Sequence, residues 1–222
     1  MEREITQQSI GIDAIFQYAS SGVQLISGML FYIVISHLFY TNAVGAVAIF
    51  LAIIGLFNTL FSFGLGNAAQ HFTSYGLGNG DLSAVRKTVY KFIMFGISFS
   101  SLGFLVLISM SSEISLIFLH SESYVGLIRL LSLVLLGNTL LGILNGILLG
   151  IQNFKFSAIL NIVVWVTYYF GSLLFAFFIR SLHTIIIGWI IGVFLGVIIE
   201  LIFILYSIKS YNGVGKSPHI QN

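Results

Sequence analysis

The chain has 222 residues, 58% of them hydrophobic and 7% charged, whereas a soluble domain carries roughly 25% charged residues. A water-soluble fold cannot cover so much apolar side chain, so the composition requires an integral membrane protein in contact with the lipid bilayer. A net charge of +2 and the lack of any basic run interleaved with aromatics exclude nucleic acid as a partner, and the absence of cysteine removes disulfides, thiolate catalysis and cysteine metal sites.

Met1 to Ser9 carries both signs of charge and leads straight into a full-length span, so it does not read as a cleavable signal. Six apolar stretches follow, near 12–38, 43–75, 85–110, 122–150, 155–179 and 184–208, each at or above the roughly 20 residues that a spanning helix needs. The expected fold is all-α and polytopic: a cytoplasmic N-terminus 1–11, a six-helix transmembrane domain 12–208 and a cytoplasmic tail 209–222 that frays from Tyr211.

In the first stretch, Asp13, Gln17, Ser20, Ser21, Gln24, Ser27 and Gly28 fall on one face at about 100° per residue. Hydrocarbon cannot satisfy amide, hydroxyl or carboxylate groups, so this face meets either a wet cleft or a tightly packed neighbouring helix. Asp13 has a separate explanation as a carboxylate near a helix N-terminus. In the second stretch Gly55, Asn58, Thr59 and Ser62 share a face. That stretch continues to Tyr75, which is long for one straight span, and Gly64 and Gly66 are the expected bend; His71 in it reads as an interfacial histidine or a group titrating near neutral pH. Arg86, Lys87 and Lys91 open the third stretch at an interface, and 111–123 reads as a short interfacial helix.

The fourth stretch holds Gly142, Gly146 and Gly150 at four-residue spacing, with Asn138 and Asn145 beside them; the sixth repeats the device with Gly188, Gly192 and Gly196 and continues it to Glu200. Small residues at this spacing let helix backbones approach closely, and all six glycines are candidates for helix packing. Intramembrane charges are costly and therefore informative. Arg129 either snorkels outward or takes a substrate-anion or helix-pairing role, and Glu200 is a candidate for proton or sodium coupling. Basic residues gather on the side shared by both termini, which the positive-inside rule assigns to the cytoplasm. No zinc-protease, serine-hydrolase or nucleotide-loop motif occurs, so neither an enzyme nor a cofactor or metal is predicted.

A polar first helix, FGLGNAAQHF (Phe63–Phe72), the turn GNGDLSAVRK (Gly78–Lys87) and GILNGILLGIQNFK (Gly142–Lys155) together resemble the N-terminal half of polysaccharide-export flippases. These belong to the multidrug/oligosaccharidyl-lipid/polysaccharide exporter superfamily. The resemblance implies one six-helix lobe of a transporter that moves lipid-linked oligosaccharide across the cytoplasmic membrane by alternating access. Asp13, Gln17, Ser21, Gln24, Asn58, Arg129, Asn138 and Asn145 are then the substrate-pathway candidates. Family members have twelve to fourteen spans, so six imply a second lobe, from another copy or a separate subunit. Relatives that handle pyrophosphate-linked lipids place several cations in the cavity, whereas here Arg129 stands alone inside the membrane. A cation-coupled drug antiporter of the same superfamily, resting on Glu200 or Asp13, and a non-transporting membrane subunit are the other two readings.

Overall fold

The computed structural model describes the backbone of residues 2–210 and the side chains of 11–209; the tail expected to fray from Tyr211 lies outside the described residues. Every regular element in it is helical. α1 runs Glu2–Leu38, α2 Thr41–Ser62, α3 Leu65–Gly78, α4 Leu82–Ser109 and α5 Ser111–Leu119. After a 3-10 turn at Glu122–Tyr124 come α6 (Val125–Gly150), α7 (Phe154–Val166), a π-helical turn (Thr167–Gly171), α8 (Ser172–Phe178) and α9 (Leu182–Ser210). Six segments are long and apolar enough to cross a membrane: Gly11–Leu38, Thr41–Ser62, Leu82–Ser109, Glu122–Gly150, Phe154–Phe178 and Leu182–Lys209. Large apolar side chains on their outer faces, Ile15, Leu25 and Phe177 among them, are exposed in the isolated chain. Lipid is the solvent that accommodates such a surface.

The long second stretch divides where the sequence weakens. Phe63 and Gly64 both adopt left-handed backbone, φ 44° and 68°, ending α2 and starting α3 in a new direction. Glycine tolerates that conformation and phenylalanine does so only under tertiary constraint. Gly66, the other expected bend, instead lies inside α3 and packs on the Gly142 carbonyl of α6. A Cβ built on Gly66 would sit 2.7 Å from that oxygen, so the contact requires glycine. After α3, Gly80 turns the chain at φ 68° and the Asp81 carboxylate caps α4 by accepting from the Ala84 amide at 2.9 Å. The expected interfacial helix over 111–123 takes the form of α5 and the 3-10 turn.

α6 is the hub, touching α2, α3, α4, α5, α7 and α9. The apolar core forms two clusters along it. One, toward the α5 end, gathers Phe31, Ile35, Phe50, Leu131, Leu135 and Trp189; the other, toward the α3–α4 turn, gathers Val85, Ile147, Leu148, Leu160 and Ile204. The glycines decide how closely the helices approach. Gly146 faces the Gly66 backbone and Gly150 faces Gln70 and Thr73, joining α6 to α3. On α9, Gly188 abuts Ser172, Gly192 abuts the Tyr168 backbone, and Gly196 abuts Val164 and Leu141. Any side chain at these five positions would run into a neighbouring helix. Gly142 departs from the packing expectation: nothing lies within 4 Å of a Cβ built there, and it is exposed. A four-residue step overshoots one turn by about 40°, so the glycine line winds around α6 and the Cα of its first member faces away from the seam that its carbonyl still touches.

Candidate functional site

Where α1, α2, α6 and α7 fail to close on one another, they leave a cleft of about 480 Å³. α1 contributes Gln17, Ser20, Ser21 and Gln24; α2 contributes Gly55 and Asn58; α6 contributes Asn138, Gly142 and Asn145. The remaining wall comes from the fifth span, with Asn161, Trp165, Tyr168 and Tyr169. Its lining contains amides, hydroxyls and aromatic rings and no charged side chain.

The polar stripe of α1 serves two environments in succession. Gln17, Ser20, Ser21 and Gln24 border the cleft, while Ser27 is buried and Gly28 packs against the Tyr169 ring at 3.4 Å. The serine hydroxyls at 20 and 21 both donate to the Gln17 carbonyl, which satisfies them within their own helix. The Gln17 amide donates across to the Phe154 carbonyl at 2.9 Å, fastening α1 to the first turn of α7. Asn58 accepts from the Thr139 hydroxyl at 3.1 Å, joining α2 to α6, and Asn145 accepts from Ser157 at 3.3 Å, joining α6 to α7. Gln24 and Asn161 have no hydrogen-bond partner among the described residues, which leaves their amides to whatever occupies the cleft.

The aromatic wall depends on the π-helical turn. One extra residue in a turn re-aims the side chains that follow it, and such turns recur at functional sites. Here Tyr168 points inward, stacked at 5.3 Å and 1° on Trp189, and is buried. Tyr169 lies 6.0 Å from Trp165 at 24°, with Phe31 behind it at 5.4 Å. The pair offers stacked ring faces at the cleft margin. None of Asn161, Trp165, Tyr168 and Tyr169 is among the pathway candidates read from the sequence. Their spacing of four, three and one residues places them on one helical face, the same pattern that identified the α1 stripe.

Two sequence candidates do not line the cleft. Asp13 is half-buried one turn beyond the Gln17–Phe154 contact, outside the lining. Arg129 is exposed near the start of α6, where its Nε donates to the Ser111 hydroxyl of α5 at 3.3 Å. Nine residues separate it from Asn138, half a turn out of phase, so the helix that brings Asn138 into the cleft turns Arg129 away.

Glu200 is fully buried, and neither carboxylate oxygen has a hydrogen-bond partner. The Asn145 amide is the side-chain polar group that reaches toward it, short of hydrogen-bond geometry. Asn145 also lines the cleft, so the same amide neighbours both the open space and the buried acid. No cluster of metal-ligating side chains occurs among the described residues.

The fold is similar to that of solved transporter structures. Over 90% of this chain and 46% of the other, it superposes with a TM-score of 0.78 and 15% identity on a crystal structure of MATE in the bent conformation. With a multidrug resistance MATE family transporter of the MOP superfamily in its outward-facing conformation the TM-score is 0.74, at 17% identity over 90% and 45% of the two chains. A MOP superfamily transporter from Pyrococcus furiosus gives 0.70, at 15% identity over 86% and 42%. The chain therefore spans about half the length of the structures it matches. No curated protein sequence matches it. The MatE family model matches residues 19–174, from the latter half of α1 through α7 and the π-helical turn to the start of α8. The chain belongs to the MatE family of membrane transporters.

Proposed function

We propose that the chain is one six-helix lobe of a cation-coupled exporter, with the cleft as its half of the substrate path and Glu200 as the coupling acid. The observation that carries the reading is Glu200, fully buried with both oxygens unpartnered and next to Asn145, whose amide lines the cleft. A bare carboxylate in that position costs several kcal/mol, and a bound proton or sodium ion removes the cost. Occupancy of the acid then alters what Asn145 can offer to the cleft. Cation-coupled efflux is the usual activity of the family, which supports the same reading.

The second reading, translocation of lipid-linked oligosaccharide, has its own support in the cleft chemistry. Amides pair with ring hydroxyls and the Trp165–Tyr169 faces stack on sugar rings, while no cation is present in the lining for a pyrophosphate. In either case the lobe works beside a second one, another copy or a separate subunit, in the same orientation across the cytoplasmic membrane with both termini inside. Parallel repeats about an axis along the membrane normal have this relationship. Without the second lobe the amides of the cleft face lipid.

The experiment is transport by the purified protein in vesicles, with its mass determined in nanodiscs from the same preparation. A fluorescent organic cation and a fluorescent lipid-linked sugar are offered under imposed proton or sodium gradients. Gradient-driven movement of the organic cation supports the first reading. Leaflet-resolved movement of the lipid-linked sugar without the cation supports the second, and a monomer that transports at full rate overturns the need for a second lobe.

A further inference from the structure

A second cavity, of about 390 Å³, lies apart from the cleft, between the beginning of α4 and the end of α9. Arg86 and Tyr90 line it from α4, and Leu205, Ile208 and Lys209 line it from α9. α4 and α9 each pack along α6 but make little contact with each other, which leaves this space between their ends. The Arg86 guanidinium rests 5.8 Å above the centre of the Tyr90 ring, an arrangement that holds a long side chain in place over the cavity. Neither Arg86 nor Lys209 pairs with an acid among the described residues, and the nearest acid along the chain, Asp81, is engaged as the α4 cap. The walls differ in chemistry: two cations and a phenol on one part, the aliphatic Leu205 and Ile208 on the other.

We infer that this cavity binds the phosphate headgroup of an anionic phospholipid, with the start of an acyl chain along Leu205 and Ile208. The guanidinium fork presents paired N–H donors to phosphate oxygens, and the lysine adds a mobile point charge. Tyr90 adds an amphipathic ring of the kind enriched at membrane interfaces, where the ring body suits apolar groups and the hydroxyl suits headgroups. Two cations without an acid partner among the described residues favour a lipid of net negative charge over a zwitterionic one, whose own ammonium opposes them. Basic pockets between membrane helices bind anionic headgroups on this physical basis. Free phosphate shares the oxygens but makes no use of Leu205 and Ile208.

Native mass spectrometry of the full-length protein released from nanodiscs tests the site, using phosphatidylcholine with a minor share of phosphatidylglycerol. The wild type is expected to retain phosphatidylglycerol in preference to phosphatidylcholine. R86Q/K209Q should reduce that retention by about tenfold, R86K/K209R should keep most of it, and K87Q, an exposed α4 cation outside the cavity, should leave it unchanged. Melting temperatures of all three variants should match the wild type, since both cations are exposed. Equal loss in K87Q and R86Q/K209Q, or undiminished retention in R86Q/K209Q, overturns the inference. Displacement of the lipid by millimolar inorganic phosphate overturns the lipid as the source of the bound anion.

Discussion

Two faces of α6 use similar residues to opposite ends. Toward α3 and α4 it presents Gly146, Gly150 and Ile143, and the space is filled to the point that a single added methyl has nowhere to go. Toward α1 and α7 it presents Asn138, Gly142 and Asn145 and leaves the space open. Gly142 and Gly146 are one turn apart and chemically identical, yet one is exposed and the other is pressed against the Gly66 carbonyl. A small residue in a membrane helix therefore permits closeness without specifying it. The opposing side chains decide, and in the cleft the opposing groups are amides and rings that gain nothing by burying one another.

Glu200 lies where the two regimes meet, at the end of the close-packed glycine line of α9 and against the cleft amide Asn145. It provides the largest expected effect. If the acid couples an ion to the cleft, Glu200→Gln reduces gradient-driven transport in vesicles to background while substrate still equilibrates down its own gradient. If Glu200 only fills the seam, coupled transport survives and the change appears in thermal unfolding. The two outcomes assign the residue to one region or the other.

Next in size is the contrast within α6. Gly146→Ala puts a methyl into the Gly66 backbone, and overpacking of this kind costs about 1 to 3 kcal/mol. Gly142→Ala meets nothing within 4 Å and should change stability by no more than about 0.5 kcal/mol. Thermal unfolding of both purified variants in the same detergent checks the pair. Equal destabilisation would mean that the cleft closes on Gly142 in the detergent-solubilised protein.

Trp165 tests whether the open face binds. Its ring stacks on Tyr169 at the margin of the cleft while the second tryptophan, Trp189, is fully buried, so quenching of exposed tryptophan fluorescence reports on Trp165. Trp165→Ala should weaken binding of the transported ligand by about 1.4 kcal/mol, a factor of about ten. Unchanged affinity in a titration of the purified protein would remove the aromatic wall from the site.

Much of the fold was legible because hydrocarbon imposes simple rules. Span number and span positions followed from apolar length, and the Gly64 break and the α5 segment from local composition. Six of the eight pathway candidates, Gln17, Ser21, Gln24, Asn58, Asn138 and Asn145, border one cleft. Helical phase brings them together, and phase can be read along each helix separately. Partner choice is not contained in phase. Nothing local separates Gly142 from Gly146, because the distinction lies in α3, some 70 residues earlier in the chain. The aromatic wall of the fifth span went unread because tyrosine and tryptophan in an apolar helix look like ordinary core or interface, and the π-helical turn that re-aims Tyr169 has no clear local signature. Asp13 and Arg129 lie outside the cleft lining for a related reason, since a charge in a span does not say which way its helix turns it.

Arg129 gives the smallest expected effect and the cleanest check on the boundary between the two faces. Its guanidinium is exposed, half a turn away from Asn138, and its one hydrogen bond within the described residues runs to Ser111 on the short α5 helix. The bond is part-buried because Ser111 is buried, but the guanidinium itself is exposed, and replacing an exposed charge while keeping a donor changes stability by no more than about 0.5 kcal/mol. Arg129→Gln keeps a donor that can still reach the Ser111 hydroxyl, so α5 stays docked. Transport by this variant should remain within about twofold of wild type, and the unfolding temperature should not move. Loss of transport by tenfold or more, with folding intact, would place Arg129 on the substrate route and extend that route around the outer end of α6, away from the neutral cleft.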